Sequence, residues 1–277
     1  MTPLEVHSYD WSGAGSHSER KRGIVLCHGC PGSVPAIKSG WSRHQVFQNL
    51  CTLASEASTT GRILVGMDCA FSFPFGAKGG RFPDGSASRA EFWKVVHASV
   101  WSQDAQAYVD AFRGHFLWYD QIAGRQHTGC DYRDARRDAD LAAAKAGAHA
   151  NTVFKLVGSN QVGKGSLCGI ALLEALRLHC KQQKIPLAVW PFFLQTASGE
   201  VQALPRLSPS ECAPERCLVV VETYPSLHWA MAGSPGKRPW DAPASWPKVR
   251  TRFNANVAHV QPNSGDEGDA LIAWYAL

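Results

Sequence analysis

Each of three apolar stretches in this chain closes on a single acid, at Tyr9-Asp10, Met67-Asp68 and Val221-Glu222. A carboxylate at the end of a buried strand loses hydration unless it is hydrogen-bonded or meets a cation. Two more acids, Asp266 and Asp269, lie three residues apart near the C-terminus, a spacing that puts both on one face of a helix. Carboxylates gathered at one spot repel each other unless a hard cation neutralises them, and an all-oxygen donor set suits Mg²⁺ or Mn²⁺. Two such ions about 4 Å apart can activate a water and stabilise the leaving oxygen of a phosphodiester. Asp10, Asp68, Glu222 and Asp269 are therefore the candidate catalytic acids and metal ligands, with Asp266 as an assisting ligand. Any one of them alone is ordinary turn chemistry after a strand; the set is what points to a site.

Acids so far apart in the chain need a scaffold to meet. Residues 6–10 and 23–26 are expected as short strands, separated by the turn-rich stretch 11–16. A helix is expected over residues 42–57, where Val46, Phe47, Leu50 and Leu53 recur at helical steps behind a Ser42 cap. Residues 62–68 form an apolar run of the buried-strand type. Further strands are expected over 152–157, 187–192 and 218–221, with helices over 166–181 and from 266 to the end. Ligands in open α/β sheets gather at the carboxyl ends of the strands, so the acids converge if their strands are neighbours. The stretch from about 76 to 150 breaks this pattern. With helices expected near 103–113 and 141–149, it reads as a mostly helical insertion within a single domain over 1–277, serving as a lid, a platform or a cap.

Phosphate contacts have their own candidates: Ser12 and Gly13 after Asp10, then Arg43, Gln161, Gly163 and Lys164. Gly158 to Lys164 lies where a phosphate-binding loop would, between an expected strand and a helix. That motif needs Ser or Thr directly after the lysine, and Gly165 intervenes before Ser166. Residues 24–32 have the form of an α/β-hydrolase oxyanion loop, but no Gly-x-Ser-x-Gly elbow occurs to supply a nucleophile. Cys27 and Cys30 are spaced as a zinc half-site, and the wider Cys212/Cys217 pair is a poor complement, so core or surface thiols are expected. His28, His44 and His228 have no partner in the local sequence and read as satisfied structural residues. Trp93, Trp101, Phe116, Trp118 and Tyr119 would stack on bases or form the insertion's own core.

Composition bounds the class. The 277 residues are 45% hydrophobic and 18% charged, which describes a folded protein rather than a disordered one. A net charge of +5 permits a polyanionic partner without demanding one. No apolar run approaches the roughly 18 residues that cross a bilayer, so no membrane partner is expected. The first ten residues lack the features of a secretion signal, and nine cysteines then suggest free thiols in a reducing cytoplasm.

Five segments in order resemble a known family: Asp10-Trp11-Ser12-Gly13-Ala14, residues 65–74, residues 157–163, Val220-Val221-Glu222-Thr223-Tyr224-Pro225, and Asp266-Glu267-Gly268-Asp269-Ala270-Leu271. Together they look like the domain-of-unknown-function family 429, whose members are described as predicted nucleases with a ribonuclease H fold. The resemblance runs from residue 10 to the C-terminus and is least in the insertion. It implies a ribonuclease-H-like α/β fold, a mixed sheet flanked by helices. It also implies Asp10, Asp68, Glu222, Asp266 and Asp269 as metal ligands, and a hydrolase acting on the phosphodiester bonds of a nucleic acid or nucleotide. Two alternatives stay open: a non-catalytic nucleic-acid or nucleotide-binding module on the same fold, and a P-loop-like nucleotide hydrolase through Gly158 to Lys164.

Overall fold

The computed structural model describes residues 5–11, 24–76, 79–80, 82–102, 104–116, 118–120, 125–127, 135–148, 150–156, 162–204, 214–234, 239–254 and 260–277. In chain order the strands are β1 (Glu5–Asp10), β2 (Val25–Gly29), β3 (Ala36–Ser39), β4 (Ile63–Met67), β5 (Phe75–Gly76), β6 (Gly79–Gly80), β7 (Trp118–Asp120), β8 (Arg125–His127), β9 (Leu187–Trp190), β10 (Phe193–Gln195), β11 (Val201–Gln202) and β12 (Leu218–Glu222). The α-helices are α1 (Arg43–Thr60), α2 (Arg89–Val100), α3 (Ala105–Ala111), α4 (Asp138–Lys145), α5 (Val162–Gln183), α6 (Pro225–Met231), α7 (Ser245–Phe253) and α8 (Gly265–Ala276). The chain is an α/β protein of two compact units. The described residues of Met1–Trp11, Arg20–Asp68 and Leu176–Leu277 form the first, and those of Cys69–Ala175 the second, so α5 belongs in part to each.

The first unit is built on an eight-stranded mixed sheet in the order β11-β10-β9-β12-β4-β1-β2-β3. The four central strands β9, β12, β4 and β1 are mutually parallel, and both edges are antiparallel. Central parallel strands are covered on both faces, which is why β4 (Ile-Leu-Val-Gly-Met) is apolar and buried throughout. Alternate residues serve opposite faces. Val6, Leu64, Val219 and Val221 pack with Trp229, Trp246, Leu271 and Trp274 of the C-terminal helices. Helix α8 lies over β1 and β2, where the Trp274 indole N–H donates to the Val6 carbonyl at 3.1 Å. Helix α1 serves the other face, its Asn49 amide donating to the Tyr9 hydroxyl at 2.7 Å. Ser42 caps α1 as expected and forms a capping box with Gln45. Gly66 is required by close approach, because a methyl there would come within 2.6 Å of the Leu277 and Thr223 side chains.

The second unit has an aromatic core. Phe73 packs edge-on against Phe92, Phe116 and Phe154, and Phe82 stacks on Phe92 at 4.6 Å. Trp93 is buried and donates to the Phe71 carbonyl at 2.9 Å. Trp93 and Phe116 are thus core residues, Trp101 is exposed, and the side chains of Trp118 and Tyr119 lie outside the description.

Several boundaries differ from expectation. Residues 152–156 are a turn with an isolated bridge at Lys155 rather than a strand. The Thr152 hydroxyl bonds the Ala135 carbonyl and accepts from the Phe154 N–H, a local alternative to a ladder, while the Phe154 ring is drawn into the aromatic core. Helix α4 ends at Lys145, short of the expected His149, because Gly147 takes a left-handed conformation at φ +90°. Helix α2 was not read from the sequence. Strand β2 is displaced toward its C-terminus and includes Cys27 and His28. Among the described residues, no helix is long and apolar enough to cross a membrane.

Candidate metal centre

The three strand-end acids fall on neighbouring parallel strands. Tyr9 sits opposite Met67 in the β1/β4 ladder, and Met67 sits opposite Glu222 in the β4/β12 ladder. Both ladders run one step past the strands: the Asp68 N–H donates to the Tyr9 carbonyl and the Thr223 N–H to the Met67 carbonyl, each at 2.9 Å. Neighbouring strands are about 4.8 Å apart, so this register sets Asp10 beside Asp68. Their carboxyl groups come within hydrogen-bonding reach of one another, so each acts on the other's proton affinity.

Helix α8 brings the remaining two acids from its first turns. Its N-terminus is set by Ser264, whose hydroxyl accepts from the Glu267 N–H at 3.2 Å. Glu267 is tied elsewhere, to the Asn263 N–H at 2.8 Å and the Ser39 hydroxyl at 3.2 Å. Asp269 accepts the Trp229 indole N–H on Oδ1 at 2.8 Å. That bond fixes its carboxylate and leaves Oδ2 as a further donor.

The electrostatics describe a site under strain from its own charge. Burial pushes Asp10 well above the usual carboxylate range, and the charges of Asp68, Asp269 and Asp266 push it further. Asp68 is raised by burial and by Asp269 and Glu222, with the Asp10 hydrogen bond acting the other way. Both side chains keep a partial opening to solvent, though protein atoms crowd them closely. Asp269 is raised to about 6 by burial and by Asp266, against the lowering effect of the Trp229 N–H. Asp266 is raised by burial and by Glu267. The charges that raise Asp10 and Asp68 are carboxylates. Five oxygen-donor groups form a set that fits hard divalent ions such as Mg²⁺ or Mn²⁺.

The expected phosphate contacts fare unevenly. Arg43 is the first residue of α1 and partly buried. Trp41, just before it, donates its N–H to the Ile24 carbonyl and rests edge-on against Tyr9, so the start of α1 lies at the strand end that carries Asp10. Ser12, Gly13 and Gln161 lie outside the described residues. Gly163 is not in a loop but in the first turn of α5, and its N–H already donates to the Lys155 carbonyl at 3.1 Å, which leaves it no donor for a phosphate. Its lack of a side chain serves packing, since a Cβ would come within 2.7 Å of the Val153 carbonyl. Lys164 follows it in the helix, in the second unit, where its charge acts on Asp110.

Other residues carry surprises. The seven cysteines among the described residues are all free thiols; Cys27 is buried and Cys30 exposed. His28 and His228 are not satisfied as expected: the Nε2 of His28 and both ring nitrogens of His228 are buried without a hydrogen-bond partner. Among the described residues, the trio whose ligating atoms all lie within 4.8 Å of one another is not drawn from the strand-end acids but is Glu5, His7 and His28. The alternation Glu5-x-His7 was visible in the sequence, but His28 joins it only through strand pairing. Trp229 as the partner of Asp269 had no signal in the sequence.

No protein-family model matches the chain, and neither a curated protein nor a solved structure matches it.

Proposed function

We propose that this chain is a divalent-cation-dependent phosphodiesterase or nuclease on a ribonuclease-H-like fold. The observation that carries the reading is the adjacent pair Asp10–Asp68 at the ends of neighbouring parallel strands, with Glu222, Asp266 and Asp269 close enough to act on it. The succession of acids along the chain supports the fold assignment: strand acid, antiparallel hairpin, helix, strand acid, later strand acid, then helix acids. The mixed sheet with its parallel centre is consistent with it.

Asp10 and Asp68 would hold the ions between them, Glu222 and Asp269 would complete the shells, and Asp266 would assist. Divalent cations bound there supply Lewis-acid polarisation of a phosphate and a lowered pKa for a coordinated water. The protein's own part is to hold oxygen donors in place and to give up protons. Asp10, Asp68 and Asp269, all raised by burial, would be held as carboxylates by bound positive charge. Trp229 keeps Asp269 oriented throughout. Arg43, the first residue of α1, would steady a phosphate.

The test is incubation of the purified protein with single- and double-stranded DNA and RNA in Mg²⁺ or Mn²⁺. Cleavage should appear, stop on chelation, and fall by about 100-fold in Asp10→Asn and in Asp68→Asn. A protein that cleaves none of these substrates and binds neither ion ends the proposal. Nucleic acid bound but left intact, equally well by Asp68→Asn, would instead support a non-catalytic binding module.

A further inference from the structure

The opposite end of β1 carries a second constellation with different chemistry. Strands β1 and β2 are antiparallel and place His7 directly opposite His28. Directly paired residues have Cβ atoms roughly 5 Å apart, so their side chains must meet. The two imidazoles stack, with centroids 5.4 Å apart and planes at 16°. Glu5 precedes His7 by two residues on the same strand face, and its Oε1 lies 3.0 Å from His7 Nε2. One ligating atom from each residue falls within 4.8 Å of the other two.

From this arrangement we infer that Glu5, His7 and His28 form a transition-metal site, of the nitrogen-and-oxygen class that takes Zn²⁺, separate from the strand-end carboxylates. Metal–ligand bonds of about 2.0–2.2 Å put two ligands of one tetrahedral zinc roughly 3.3 Å apart. The Glu5–His7 separation already fits. The remaining gap closes by rotation of Glu5 and His28, which are only partly buried.

The second observation is a nitrogen without a partner: Nε2 of His28 is buried and makes no hydrogen bond. His7 is only 4% exposed and directs its Nε2 at Glu5. A neutral imidazole has a single lone pair, and with the proton on Nδ1 the lone pair of His7 Nε2 faces Glu5, so an ion between them would replace the His7–Glu5 hydrogen bond. Two imidazole lone pairs and an adjacent carboxylate suit a shared cation. Burial also keeps both rings neutral, so the lone pairs persist at neutral pH. The opposing charge is Lys38 on β3, which is exposed and therefore screened.

Two His and one carboxylate leave a fourth position for water, and Glu5, with 39% of its side chain exposed, gives water a way in. Three residues of strand separate His7 from Asp10, about 10 Å, which is too far for one ion to serve both ends. An ion at the trio would tie β2 to the strand that presents Asp10.

The test uses the full chain stripped of metal by chelation and titrated with Co²⁺, whose visible absorption reports its ligands. The expected result is one equivalent bound with the bands of a nitrogen-and-oxygen site, displaced by Zn²⁺. Affinity should fall at least about 10-fold in His28→Asn and in Glu5→Gln, both at partly exposed positions, and should be unchanged in Asp68→Asn. Near-ultraviolet circular dichroism checks that the variants are folded. The inference is overturned if the protein shows no visible band, if a thiolate charge-transfer band shows that cysteines hold the ion, or if both folded variants bind as tightly as the parent. Loss in Asp68→Asn alone would also overturn it, because the ion would then belong to the acids.

Discussion

Strand β1 has an acid end and a histidine end. At its close, Asp10 meets the carboxylates of Asp68, Asp266 and Asp269; at its start, Glu5 and His7 meet His28. Burial acts on both ends, and in each it favours the neutral form. For Asp10, Asp68 and Asp269 that means a proton held too tightly; for His7, lowered to about 4, it means a proton refused. The consequence for metal binding differs. A hard ion at the acid end must displace protons, whereas an ion at the histidine end finds lone pairs already bare.

The largest expected effect separates the ends outright. Asp68→Asn should weaken Mn²⁺ binding by about 100-fold in calorimetric titration while leaving Co²⁺ binding at the histidines intact. Equal losses at both ends would break the distinction. Next comes the closeness of β4 to the chain's last residue. Gly66→Ala drives a methyl against Leu277 and Thr223 and should destabilise the protein by about 1–3 kcal/mol in urea unfolding. Because Leu277 follows α8, which carries Asp266 and Asp269, Mn²⁺ affinity should fall with it and Co²⁺ affinity should not.

The smallest effects concern protons. Asp269 has a folded-state value of about 6 against an ordinary 3.8, so its stabilising contribution is full at low pH and is lost as pH rises through about 6. His228 is lowered by burial from 6.5 to about 4, so its contribution is full above 6.5 and is lost as pH falls through about 4. The two slopes oppose each other in the same window. In ion-free protein, Asp269→Asn should lose more stability than the parent between pH 6 and 4, and His228→Gln should lose less, both read from urea midpoints. Identical profiles for all three proteins would remove burial as the common cause.

Much of the acid end was legible in the sequence because its signals are local. An apolar run closing on an acid marks a buried strand and its exit, which is why Asp10, Asp68 and Glu222 were found where β1, β4 and β12 end. Ser42 and the first-turn acids of α8 announced helix starts by cap and charge. The histidine end was not legible. His28 lay beyond a strand expected to stop at Leu26, whereas β2 runs on to Gly29, and that three-residue difference hid its partner. The aromatic core of the second unit likewise drew Phe154 out of the strand that its neighbours suggested.

Taken alone, the amino-acid order determined which positions are apolar, which helices are capped and which strands end in acid, because those properties are settled within a few neighbouring residues. Tertiary structure alone decided that Asp10 sits beside Asp68, that Trp229 holds Asp269, and that His7 faces His28. Such pairings depend on register between distant segments, and register is chosen by what both faces of the sheet can bury at once.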